Sequence, residues 1–365
     1  MNRLHIVTHP LYDNYGGMLQ AKALFNIFSA CCHISIRILQ NNTRKHENIF
    51  SIFKKVFYTI IRLIKRLPKN PHLYFKSHAL AYSSLTGDNN GDVLVSPVDF
   101  FCVGSDQVWR CEYARGITSP PYFFLNFATP EQRTKSISYA ASFGSDEWEG
   151  SPAETEECGR LLREFKAVSV REHSGVKICK EVFGVNAVQM PDPTLLLHLE
   201  DYDQIIDSEG TWSLDGKYMA TYVLDEIDRR SILLQESSRC LEIQLQHLMP
   251  HADARKRRDR FPISVPQWLR LIRDCEYFIT DSFHGCVFAI IYNKPFVCLG
   301  NEGRGNARFD TLLGTFGLED RLITDATPEK VTQVLNTPID WRRVNAIHDS
   351  ERERGINFLK ENLCE

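Results

Sequence analysis

Short apolar runs recur along the chain, each closed by polar or turn residues and followed by a stretch with helical spacing. The clearest are 4–9 (LHIVTH), 99–105 (DFFCVGS), 134–142 (TKSISYAAS), 167–172 (AVSVRE), 187–192 (AVQMPD), 218–225 (YMATYVLD), 276–282 (EYFITDS) and 295–301 (PFVCLGN). They are rich in β-branched and aromatic residues and do not alternate with polar ones, as expected of strands buried on both faces of a parallel sheet. Helical spacing is clearest at 156–166, 173–183, 228–239 and 266–274. Strands alternating with helices predict an α/β chain of doubly wound sheets.

The weakest interior stretch is 198–216, acidic and ending in turn residues. A boundary there divides the chain into domains at 1–205 and 206–345, with 346–365 as a polar helix packing back on the first. No internal repeat or low-complexity tract interrupts this plan.

One segment departs from it. Residues 49–69 carry six Lys or Arg and no acid, leaving −9 on the remainder of a chain whose total is −3. Ile49, Phe53, Val56, Phe57, Ile60, Ile64 and Leu67 form one helical stripe, with Lys54, Lys55, Arg62, Lys65 and Arg66 mostly off it. The stripe fits a helix buried against a sheet or an interfacial helix on an anionic membrane, with a disordered segment as the third reading.

At 365 residues, with 43% hydrophobic and 24% charged positions, the composition is that of a soluble globular protein long enough for two cores. A net charge of −3 gives no general attraction to nucleic acid. The first residues hold too short an apolar run for a signal peptide, and no stretch is long enough for a spanning helix. Eleven cysteines, an odd number, include Cys102, Cys286 and Cys298 inside apolar runs and form no CxxC. Buried free thiols in a reducing cytoplasm follow, without a metal site.

Candidate chemistry gathers at strand ends. Asn14, Tyr15, Gly16 and Gly17 open a helix after the first run, where free N–H groups favour an anion or a polar sugar; a plain tight turn is the alternative. Gly104, Ser105, Asp106 and Gln107 stand at the carboxyl end of a strand, the edge where open α/β sheets bind ligands. Locally, Ser105 and Asp106 also suit a helix cap and first-turn acid. Arg171 follows the run AVSV and is costly to bury without an anionic partner. That partner is an internal carboxylate, Glu172 or Asp192, or a substrate. The strongest local signal is 279–301: a strand ends at Asp281 and Ser282, and His284 and Gly285 open an apolar helix. His284 thus stands at a helix N-terminus on the ligand-facing edge of the second sheet. Beyond the next strand, Arg304 and Arg308 on a Gly-rich loop can grip a phosphate or carboxylate bidentately.

Taken in order, the blocks YDNYGGMLQAKAL (12–24), CVGSDQVW (102–109), SYAASFG (138–144), VSVREHSG (168–175), MPDPTLLL (190–197), ITDSFHGCVFAIIYNKPF (279–296) and NEGRGNARFDTLL (301–313) resemble the polysaccharide pyruvyl transferase family. The resemblance implies a glycosyltransferase-B-like pair of Rossmann domains facing a cleft. It also implies phosphoenolpyruvate as donor and a sugar hydroxyl pair as acceptor, giving a cyclic pyruvate ketal on a surface polysaccharide or its lipid-linked precursor. Domain 1–205 would be the acceptor side and 206–345 the donor side. His284 matches the family's histidine before glycine, the general acid, and Arg171 an arginine that holds the donor. Other branches look like Ser-Arg-Leu-His-Gly here; Ser282 fills the arginine's slot, so the missing cation is expected from Arg304 and Arg308. Asp106 or Asp281 would accept the hydroxyl proton, and no step calls for a metal or cofactor. Expected partners are the donor and a saccharide, with the inner membrane surface reached through 49–69 and no nucleic acid. Two rivals remain: a nucleotide-sugar glycosyltransferase of this architecture, and a non-catalytic carbohydrate-binding protein at the membrane.

Overall fold

The computed structural model describes residues 3–11, 14–31, 35–39, 99–210, 214, 216–225, 228–249, 263–300 and 306–363. The basic segment 49–69 and Arg304 lie outside them. Two sheets form among the described residues, and every strand pairing is parallel.

The first sheet has six strands: β1 (Arg3–Val7), β2 (Ser35–Leu39), β3 (Phe100–Val103), β4 (Ile137–Ala141), β5 (Ala167–Val170) and β6 (Val188–Gln189), in the order β2-β1-β3-β4-β5-β6. The second has five: β7 (Tyr218–Tyr222), β8 (Gln244–His247), β9 (Tyr277–Thr280), β10 (Phe296–Leu299) and β11 (Leu322–Ile323), in the order β11-β10-β9-β7-β8. β4, β7 and β10 are buried along their whole length, which explains their unbroken apolar sequences. β2, β8 and β11 were not among the apolar runs picked out above. The last two lie at sheet edges, where little apolar surface is needed: β8 reads QLQH and β11 has two residues.

Each sheet reverses its strand order once. The reversals fall between β1 and β3 and between β7 and β9, and ligand crevices open at the carboxyl ends of such pairs. Register places Val7 beside Val103 and Tyr222 beside Thr280. The residues following each pair, Thr8–His9 with Gly104–Asp106 and Val223–Asp225 with Asp281–His284, therefore lie side by side.

An aromatic cluster holds the halves together. Tyr15 of the helix Tyr15–Cys31 stacks on Trp268, 5.3 Å between centroids and 7° from parallel, and donates its hydroxyl to the Ile263 carbonyl at 2.8 Å. The helix Leu199–Asp207 contributes Tyr202, edge-on to Phe288 at 5.0 Å. The helix Phe283–Ile291 is buried on every side, as its all-round apolar sequence requires. The last helix, Trp341–Leu363, lies against the first half: His348 bonds the Leu195 carbonyl and Arg352 donates to that of Leu196. No helix among the described residues is long and apolar enough to cross a membrane.

Candidate active site at the junction of the two sheets

The β1–β3 crevice is built on a rigid loop. Gly104 donates its N–H to Val7, the Ser105 N–H goes to the Gln20 side chain at 2.9 Å, and Ser105 Oγ donates to the Ala140 carbonyl at 2.7 Å. Ser105 is thus fully buried and holds the loop rather than facing a ligand. Asp106 follows in the left-handed region at φ 67°, strained for a non-glycine, with its carbonyl accepting from Val108 and Ser142. Gln107 turns away toward Gly144 and accepts a bond from Arg110.

Around Asp106 charges crowd together. Its carboxylate accepts from Asn14 Nδ2 at 3.3 Å and from Arg171 Nη2 at 3.5 Å. Arg171 Nη1 donates to Asp192 Oδ2 at 2.8 Å, and its guanidinium lies 4.1 Å from the Phe283 ring centre. Asp192 also accepts from Ser105 Oγ and from the Thr194 N–H and hydroxyl. His284 comes from the second half: its Nε2 stands 3.5 Å from Asp192 Oδ2, too long for a good hydrogen bond, and has no other hydrogen-bond partner. Ser282 caps the helix that carries it by accepting from the Gly285 N–H. Gly16 faces the ring so closely that a β-carbon there would sit 2.0 Å from His284 Nδ1. Asn14 caps the first helix through Gly17 N–H at 3.2 Å.

Arg308, near the start of the helix Ala307–Phe316, is also buried but forms no ion pair among the described residues, and its Nε has no hydrogen-bond partner. Burial, and then the neighbouring charge of Arg171, push it down to about 10 against the partial relief of Glu172 and Asp106. Burial alone would raise Asp106, but Arg171, His284 and His9 outweigh it and hold that carboxyl below its usual range. Asp192 behaves alike: His284 and Arg171 overcome its burial. Glu172 goes the other way, raised by burial despite Arg171 and three donors on its Oε1, from Ser142 Oγ and the N–H groups of Phe143 and Gly144.

Of the residues singled out from sequence, Asn14, Gly16, Gly17, Asp106, Arg171 and His284 meet here with Arg308 close by. Tyr15 instead packs the junction. Asp281 belongs to the β7–β9 crevice, where it accepts from the N–H groups of Leu224 and Asp225 at 2.7 and 3.0 Å and pairs with Arg230 at 2.5 Å. Two residues escaped the sequence reading. Arg230, which also donates to the Gly300 carbonyl, sits in an ordinary polar run. The apolar run 4–9 places His9 at the end of a strand, whereas β1 stops at Val7 and leaves it in the crevice. Among the described residues no group of His, Cys, Asp or Glu is arranged to hold a metal ion.

A family model described as polysaccharide pyruvyl transferase matches residues 14–303. No curated protein matches the chain significantly. Among solved structures, the glycotransferase of kitacinnamycin is 10% identical with a TM-score of 0.51, the match covering 99% of each chain. The S. aureus MnaA-UDP co-structure is 11% identical with a TM-score of 0.52, over 99% of this chain and 97% of that one. Methanocaldococcus jannaschii UDP-GlcNAc 2-epimerase in complex with UDP-GlcNAc and UDP is 13% identical with a TM-score of 0.50, over 99% and 100%. At these identities the likeness is one of fold: two Rossmann-like α/β domains in the glycosyltransferase-B arrangement.

Proposed function

The chain belongs to the polysaccharide pyruvyl transferase family, and from that premise we propose that it transfers the pyruvyl group of phosphoenolpyruvate to a hydroxyl pair of a saccharide, forming a cyclic ketal and releasing phosphate. The observation that carries this reading is a buried cluster in which Arg171 pairs with Asp192, 3.5 Å from His284 Nε2, while Arg308, buried and without an ion pair among the described residues, feels the charge of Arg171. Phosphoenolpyruvate carries a carboxylate and a phosphate; the Arg308 fork suits one anionic end, and Arg171, whose Nη atoms hold Asp192 and Asp106, offers its Nε to the other. Arg308 occupies a place where a cation is unfavourable until an anion arrives. It would supply the charge that Ser282 does not.

In this scheme protonated His284 gives a proton to the methylene carbon, and C2 becomes electrophilic. One sugar hydroxyl adds to C2, phosphate departs, and the second hydroxyl closes the ring. Of the two hydroxyl protons released, one replaces the proton given to carbon and the other leaves with phosphate. The acceptor is proposed to belong to a surface polysaccharide or its lipid-linked precursor. Docking to an anionic membrane through 49–69 is proposed from charge pattern alone; salt-sensitive cosedimentation with anionic but not neutral vesicles tests it.

The decisive experiment incubates the protein with phosphoenolpyruvate and candidate saccharides, free and lipid-linked, and reads by mass spectrometry the gain of a pyruvyl ketal. A parallel panel of nucleotide sugars serves as control. Glycosyl transfer there, with none from phosphoenolpyruvate, would overturn the proposal.

A further inference from the structure

We infer that His9 is the base that takes the proton from the attacking sugar hydroxyl, an assignment that rests on the pyruvyl-transfer reading above. The carboxylates of the two crevices are poorly suited to that task. Asp106 is engaged by Arg171 and Asn14, and the cations around it weaken its hold on a proton. Asp192 accepts from Arg171, Ser105 and twice from Thr194. Asp281 serves the other crevice and is held by two N–H groups and Arg230. Glu172 keeps one oxygen, Oε2, without a partner among the described residues, but burial favours its protonated form, which cannot take up a further proton.

His9 differs on each point. It stands at the carboxyl end of β1, directly beside the loop that carries Asp106. Its ring is half-buried between Tyr113, 6.3 Å away between centroids, and Phe123, 5.3 Å away. Among the described residues no carboxylate hydrogen-bonds it, and Nε2, screened from solvent in the free protein, has no hydrogen-bond partner. Tyr113 is exposed, so the aromatic wall that His9 joins reaches solvent, the side from which an acceptor would enter. Burial, aided by Arg171 and opposed by Asp106, favours the neutral ring, which keeps a lone pair available at neutral pH.

The resulting step balances. The oxygen–C2 bond forms as the O–H bond breaks, and the proton goes to His9. The electron pair of the C2–C3 double bond takes the proton delivered by His284. When the C2–O bond to phosphorus breaks, its pair leaves on phosphate.

The test uses the full chain and the variants His9→Gln and His9→Ala. Phosphoenolpyruvate binding is measured by calorimetry, and transfer to the saccharide by mass spectrometry with and without added imidazole. Expected are unchanged donor affinity, a fall in kcat of about 10²–10⁴-fold in both variants, and partial recovery of His9→Ala by imidazole. Unchanged kcat in His9→Gln, where the wild-type chain transfers pyruvyl, overturns the base alone. So does donor binding that falls in step with kcat, which would make His9 a donor ligand. A wild-type chain that transfers nothing overturns the function, and the base with it.

Discussion

Arg308→Met is predicted to strengthen the fold and weaken donor binding at once. The guanidinium is buried, its Nε is unsatisfied, and it forms no ion pair among the described residues, while the charge of Arg171 bears on it. Burial and the charge of Arg171 push its pKa down to about 10, which corresponds to roughly 3 kcal/mol against the charged form in the folded chain. At neutral pH the group is charged both folded and unfolded, so that difference counts against folding in full. Raising the pH through the folded value would relieve it. Methionine keeps much of the buried stem and removes the charge, so the melting temperature should rise by a few degrees. Donor affinity should fall about ten- to a hundredfold, the worth of roughly 1.5–3 kcal/mol for one charge-assisted hydrogen bond. Phosphoenolpyruvate at about 100 times its Kd should stabilise the wild-type chain by about 2.7 kcal/mol and the variant far less at the same concentration. Calorimetric titration and thermal melting, with and without donor, measure both effects. A variant that melts lower and binds donor normally would refute the reasoning, because Arg308 would then be a structural residue with satisfied surroundings.

Four further predictions test neighbouring residues. His284→Ala should abolish transfer with little change in melting. Gly16→Ala should also lose most turnover, because the new methyl would occupy the place of the His284 ring; steady-state kinetics and melting on both variants check this. Asp281→Ala should cost about 3–5 kcal/mol in urea unfolding, since it leaves Arg230 and two backbone N–H groups without their acceptor. Glu172 has a folded pKa above its unfolded value, so the folded state holds the extra proton and stability is lost as pH rises from the unfolded value through the folded one. Glu172→Gln should remove that loss, because the amide oxygen can keep the three donors on Oε1; unfolding curves across the acidic range measure it.

The fold was legible where strands are buried on both faces, because burial leaves no room for polar alternation; Ile137–Ala141 and Phe296–Leu299 are of this kind. It was not legible in Gln244–His247, an edge strand whose side chains are mostly polar. Arg171 and His284 could be found from sequence because each breaks an apolar run at a strand end, where a polar side chain needs a partner. His9 gave no such signal. Its importance comes from the pairing of Leu4–Val7 with Phe100–Val103, which brings Asp106 beside it from nearly a hundred positions away. Asp281 shows how sequence neighbours can differ in their contacts. Its position beside His284 in sequence suggested shared chemistry, yet successive residues at a strand end point in different directions, and its carboxylate serves the loop after β7.

The charges at the junction have a logic that no single residue reveals. Arg171 is already matched in the free protein by Asp192 and Asp106, so its main role there is to hold two carboxylates and the loop after β6 in place. Glu172 leans toward its neutral form through burial. What remains without a close counter-charge among the described residues is Arg308. A dianionic phosphate brought to it would relieve a cost that the free fold already bears, and water is a poor substitute at such depth. Arg171, with an Nε that bonds nothing, can add a contact without giving up either carboxylate. On the proposed reading, donor binding would draw on a cost that the fold already bears at Arg308. This is why one substitution at Arg308 should shift stability and affinity in opposite directions.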